Sequence, residues 1–278
     1  MIKHPFQMNK WLKFNTDSRI FTQMQNAPYP HPDRDEGFTG NNRKFYPRDP
    51  HYCDSTVCVT IPNNFKDGES TDVMVYMHGL NTALNLDAFG VPKAIAASGK
   101  NMIAIIPQGP YKAPVDIFGG KLEDNGGLKR LLSETMSFLV NGKILNTKNI
   151  GRLIMACHSG GFHAMKACLD QGGVNSLITD VYMFDSIFMH EDFFASWAMR
   201  RLDVRFITVC SKSTIKQHGI FRGLVSLSDG FREVSDTDSN MVLDHGPGIT
   251  IFNSTKLGHN ACTKYLPEIL RTSTIANR

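Results

Sequence analysis

The stretch LIMACHSGGFHAM (153–165) decides how the rest of the chain is read. Leu153 to Cys157 are five apolar or small residues in a row, as suits a strand covered on both faces. Ser159 stands at the exit of that strand, and Gly160 and Gly161 open what reads as a helix. A serine held on a sharp strand-to-helix turn needs small residues two places before and two after it, because strand and helix come too close there for bulk. Cys157 and Gly161 meet that demand. A phosphate-binding turn is the rival reading, but neither the GxGxxG nor the GxxxxGK[ST] spacing is present. Ser159 is therefore a candidate nucleophile. Small-x-Ser-x-Gly is a common pattern, so the case depends on what stands elsewhere in the chain.

Around this stretch, strand-like and helix-like segments alternate. The strand-like runs are 55–62, 72–79, 101–109, 149–159, 178–185, 204–211 and 249–255, most of them continuously apolar. Between them, 127–140 puts Leu128, Leu131, Leu132 and Leu139 on one helical face, and a helix over 261–273 closes the chain. This alternation predicts an α/β fold, a mostly parallel central sheet flanked by helices on both faces, with right-handed crossovers. Functional loops then gather at the carboxyl ends of the strands. The 278 residues are within reach of one large domain. Residues 1–54, rich in Pro, Asn, Asp and aromatics, are expected as an irregular extension packed on a single domain over 55–278, with loop insertions at 110–127 and 212–248.

A serine hydroxyl attacks only when a base takes its proton and an acid orients that base. His259 has the best position for the base, after the last strand and before the final helix; His245 is second. His158 is adjacent to the serine in sequence and is expected to point away. For the acid, Asp185 ends the strand after the nucleophile strand, and an aspartate in an apolar run needs partners to be buried. Asp244 is the alternative. An oxyanion needs donors already in position. The Gly160 amide is one candidate and the Leu80 amide the other, in a loop where His78 and Asn81 serve as polar supports and Gly79 is expected to permit an unusual turn. In the long polar loop at 109–127, Tyr111, Asp116 and Lys121 are candidates to contact substrate. The order counts for more than any one signal: a strand then HGLN, a strand then HSGG, a strand then Asp, a strand then His.

In this order the sequence resembles the α/β-hydrolase superfamily over about residues 55 to 270. It departs in having Cys157 for the first elbow glycine, and in an acid one strand earlier than is usual. A narrower resemblance is to poorly characterised bacterial and phage serine hydrolases. It rests on HGLN (78–81), PQGP (107–110), GKLED (120–124), HSGG (158–161) and FDSIF (184–188), and it supports Asp185 as the acid. The resemblance implies a serine hydrolase cleaving a carboxylic ester through an acyl-enzyme, with no cofactor and no metal. A peptidase, amidase or acyltransferase on the same fold stays open, as does a non-catalytic binding or structural (phage particle) protein. The substrate class is a small-molecule or polymer-borne acyl compound.

Bulk features exclude other classes. A net charge of +4, evenly spread, is too mild for nucleic acid, and Arg200, Arg201 and Arg205 alternate with apolar residues as solvated edges would. No apolar run approaches the roughly 18 to 20 residues of a membrane span. The N-terminus lacks the apolar stretch of a signal peptide, so cytoplasm is the default expectation. Six cysteines are too few for a disulfide scaffold, and no CxxC suggests zinc. Cys53 and Cys58 are the pair that could bridge in an oxidising compartment; Cys157, Cys168 and Cys210 read as core. Oligomeric state is left open.

Overall fold

A strand that is apolar on both faces belongs in the middle of a sheet, and a strand with a polar side belongs at its edge. The computed structural model, which describes residues 9–237 and 246–278, follows that rule. The chain begins with β1 (Lys10–Lys13) and β2 (Asp17–Gln23). A two-stranded ribbon, β3 (Phe38–Thr39) and β4 (Phe45–Tyr46), and a single helical turn α1 (Arg48–His51) follow. Next come β5 (Thr56–Pro62), β6 (Thr71–Met77), α2 (Val91–Ser98) and β7 (Ile103–Pro107). The middle of the chain supplies α3 (Gly127–Asn141), β8 (Ile150–His158), α4 (Phe162–Gln171), β9 (Ile178–Phe184) and α5 (Glu191–Arg200). It ends with β10 (Arg205–Cys210), α6 (Ile215–Val225), β11 (Phe231–Ser235), β12 (Gly248–Asn253) and α7 (Leu266–Arg271).

Ten strands form one sheet in the order β1-β2-β5-β7-β6-β8-β9-β10-β12-β11. The seven strand-like runs of the sequence are the seven contiguous strands from β5 to β12. From β7 to β11 every pairing is parallel, while β1, β2, β5 and β7 pair antiparallel. Alternate side chains feed two apolar layers. On β6, Val73, Val75 and Met77 join the layer covered by α3, α4, α5 and α6. Met74 and Tyr76 join the layer covered by α2 and α7.

Four expectations change. The first 54 residues are not simply irregular: β1 and β2 extend the sheet, and buried Asp17 pairs with Arg19 at 2.6 Å within β2. The region 212–248 is likewise not only loop, since it holds α6 and the edge strand β11. Its candidates Asp244 and His245 lie outside the described residues. Arg205 is buried rather than solvated, bonded to the Tyr182 hydroxyl at 3.0 Å and the Ile269 carbonyl at 3.1 Å, with Asp180 3.4 Å away. All six cysteines are free thiols, so Cys53 and Cys58 do not bridge. Cys58 lies in the interior of β5, and burial pushes its thiol up to about 12. Among the described residues no helix is long and apolar enough to cross a membrane.

Candidate active site

The carboxyl ends of β6, β8, β9, β10 and β12, adjacent in the parallel part of the sheet, each deliver part of one site. After β8, Ser159 takes a left-handed backbone (φ 53°), a conformation that costs a non-glycine residue about 1–3 kcal/mol and is held by its surroundings. The glycines around it are required by close approach. A Cβ on Gly161 would stand 2.6 Å from the Met77 carbonyl oxygen, at the end of β6. A Cβ on Gly79 would stand 2.8 Å from the Cβ of Ser159. Gly79 therefore does not serve an unusual turn, as expected from sequence; the left-handed residue of that loop is Asn81 (φ 56°).

His259, in the loop after β12, lies with Nε2 2.8 Å from Ser159 Oγ and Nδ1 2.7 Å from Asp185 Oδ2. Asp185 follows β9 and is fully buried, again with a left-handed backbone (φ 46°). Its Oδ1 accepts the Ser211 amide (2.9 Å) and the Thr214 hydroxyl, and its Oδ2 accepts the Ser211 hydroxyl (2.5 Å) besides His259. Burial alone would raise the carboxyl pKa, but the bonds from His259, Ser211 and Thr214 outweigh it and hold the group well below the usual carboxylate range. An ionised Asp185 accepts only, so Nδ1 of a neutral His259 carries the proton and Nε2 is left to accept from Ser159. Asp185 is no helix cap, since His190 stands at the start of α5.

His158 does not point away. Its ring packs on that of His259 with centroids 4.9 Å apart, and its Nε2–H donates to the His259 carbonyl at 2.9 Å. Burial lowers its pKa. Through that bond the residue holds the backbone of His259. On the far side of that loop, Asp236 after β11 accepts the amides of Thr255 and Lys256 and the Tyr265 hydroxyl, which pins 255–256 ahead of His259.

His78 is buried and neutral, with a pKa lowered to about 4 chiefly by burial. Its Nε2 accepts the Gly109 amide at 2.7 Å, which leaves Nδ1–H to donate to the Gly79 carbonyl at 2.7 Å. The ring therefore ties the loop after β6 to the loop after β7. The Asn81 side chain is exposed, and the residue's backbone N–H donates to the Ala113 carbonyl at 3.4 Å. Among the described residues neither the Leu80 nor the Gly160 amide has an acceptor within the protein. A Cβ on Gly160 would meet Leu80 Cγ at 2.5 Å, so the two residues face each other, and both line one narrow cleft.

Of the three candidates in the 109–127 loop, only Asp116 lines this cleft. Its carboxylate is engaged by Arg34, at 2.6 and 3.0 Å, and by the Phe118 amide at 3.0 Å. Lys121 reaches away to the Gln25 carbonyl at 2.7 Å. Tyr111 is buried, with its carbonyl on His51 Nδ1 and its amide on the His51 carbonyl.

No protein-family model matches the sequence, and no curated protein matches it either. Solved structures do match. The chain is similar to an S-formylglutathione hydrolase from Agrobacterium tumefaciens (TM-score 0.57, 12% identity), covering 97% of this chain and 100% of that one. It is also similar to the feruloyl esterase module from Clostridium thermocellum (TM-score 0.51, 9% identity), covering 96% of this chain and 94% of that one. The fold is that of the α/β-hydrolases.

Sequence reasoning did not find Ser211 and Thr214, the polar partners of Asp185, although SKST directly after β10 was a visible cluster at a strand's carboxyl end. It also did not find Pro28, which lines the cleft from the N-terminal segment and carries no chemical signal of its own.

Proposed function

We propose that the protein is a serine hydrolase acting on carboxylic esters. One observation carries the reading: an unbroken line of hydrogen bonds from buried Asp185 through His259 to Ser159, beside two amides that have no acceptor among the described residues. The α/β-hydrolase scaffold, with esterases among its structural neighbours, supports it.

In this reading His259 Nε2 takes the Ser159 proton as Oγ attacks the acyl carbon. The carbonyl oxygen becomes an anion between the Leu80 and Gly160 amides, which are already oriented and cost no reorganisation as charge develops. Asp185 stays ionised and stabilises the imidazolium. His259 then gives its proton to the leaving alkoxide, and the alcohol departs from a Ser159 acyl-ester. Water enters, loses a proton to the same nitrogen, attacks the acyl carbon and releases the acid. Ser159 recovers its proton from His259.

The test is steady-state hydrolysis of p-nitrophenyl esters and matched anilides by the wild type and Ser159→Ala. Ester turnover abolished in the variant agrees with the reading. Equal turnover by both proteins sinks it, and a preference for the anilides moves the activity to an amidase.

A further inference from the structure

The cleft lined by Leu80 and Gly160 is a slot whose size bears on the substrate. Its free volume is about 40 Å³. A cavity of about 150 Å³ holds a benzene, so this space admits only a few heavy atoms. Its walls are Pro28, Ile117, Phe118, Leu122 and Ala164. The charged side chain among its lining residues is Asp116, neutralised by the paired bonds from Arg34.

The slot is fixed in width. Arg34 sits over the rings of Phe38 and Phe118 at 4.5 and 4.6 Å. Tyr29 donates its hydroxyl to the Phe118 carbonyl at 2.7 Å. The Lys121 amide bonds the Pro28 carbonyl at 2.9 Å, close beneath Gly120, where a Cβ would strike that carbonyl at 2.1 Å. Widening the slot would break several of these contacts together.

Its direction follows from the proton. The leaving oxygen must face His259 Nε2 to be protonated, and the carbonyl oxygen must face the Leu80 and Gly160 amides. The acyl chain is left to run past those amides, into the slot that Leu80 and Gly160 line.

We propose that this slot is the acyl pocket and that it selects short, unbranched acyl groups, from acetyl to butyryl. The proposal rests on the serine-hydrolase reading above. The N-terminal segment thereby sets specificity, through Pro28 and the Arg34–Asp116 pair that clamps the opposite wall.

The experiment measures kcat/KM for p-nitrophenyl acetate, butyrate, hexanoate and octanoate. Wild-type values should fall at least about tenfold from butyrate to hexanoate, as a misfit of one or two methylenes in a tight pocket produces. Leu122→Ala should raise the hexanoate-to-acetate ratio about tenfold or more. Ala164→Val should lower the butyrate-to-acetate ratio. Ratios within one protein are insensitive to a change in the folded fraction, and the two variants push in opposite directions. Hexanoate or octanoate cleaved as well as acetate by the wild type overturns the proposal, as do ratios that move in neither folded variant. A small fluorophosphonate separates this failure from a deeper one. An adduct on Ser159 with a flat chain-length profile overturns the pocket alone, whereas no adduct overturns the underlying reading and the pocket with it.

Discussion

Replacing Asp185 by asparagine changes one atom, and the hydrogen bonds around it fix which one. Oδ1 accepts the Ser211 amide at 2.9 Å, a donor that cannot rotate, so the asparagine oxygen must take that side. The new NH2 then occupies the Oδ2 side, facing the Ser211 hydroxyl and His259 Nδ1. Ser211 can turn its hydroxyl and accept. His259 can accept at Nδ1 only by moving its proton to Nε2, the nitrogen that must receive the Ser159 proton. The site keeps its shape and holds the wrong tautomer. In a well-studied serine protease the same change lowers kcat about 10⁴-fold, which corresponds to roughly 5 kcal/mol of barrier. The same scale is expected here for kcat on p-nitrophenyl acetate, with a thermal melt close to wild type. A kcat within tenfold of wild type in a folded Asp185→Asn protein would refute the tautomer argument and with it the role of Asp185.

Other consequences can be checked separately. Gly79→Ala puts a methyl 2.8 Å from the Ser159 Cβ, so the nucleophile must shift; kcat should fall about 100-fold while the far-ultraviolet circular dichroism spectrum is retained. His158→Phe keeps a ring against His259 but removes the donor to its carbonyl, and kcat should drop about tenfold with KM little changed. Buried His218 donates from Nδ1 to the Thr214 carbonyl and accepts at Nε2 from Thr208, and burial lowers its pKa to about 4. A folded pKa below the unfolded one means the unfolded chain binds more protons between about pH 6.5 and 4. Stability is therefore lost as pH falls through that window, by up to about 3 kcal/mol for this residue. His218→Gln should shrink the drop in Tm between pH 7 and 4.5; an unchanged drop would contradict the assignment.

What was legible in the sequence divides along physical lines. The seven central strands could be read because burial on both faces leaves continuous apolar runs. Strands β1 and β11, at the two edges of the sheet, could not, because KWLK and FREVS carry the charges that edge strands carry and polar loops share, and β2 could not because the Asp17 and Arg19 of DSRIFTQ, which the fold buries as a pair, look equally like a polar loop. Ser159, Asp185 and His259, which the fold brings within hydrogen-bonding distance of one another, were chosen from their order at strand ends, a property of the chain. What escaped depends on contacts between distant segments. His158 looked too close in sequence to Ser159 to reach the same cluster, yet Ser159's tight turn leaves its ring against His259. Tyr111, Asp116 and Lys121 looked like free polar side chains because the N-terminal segment that engages them lies some 60 to 100 positions earlier. Gly79 read as a conformational glycine, when the reason for it is a serine 80 residues on.

The most direct measurement is the intact mass and peptide map of the protein after treatment with a fluorophosphonate. A nucleophilic serine activated by His259 predicts a single phosphonyl adduct, located on the peptide containing Ser159 and lost in Ser159→Ala. Labelling of equal extent in the wild type and in Ser159→Ala, or an unmodified Ser159 in a folded protein, would contradict it.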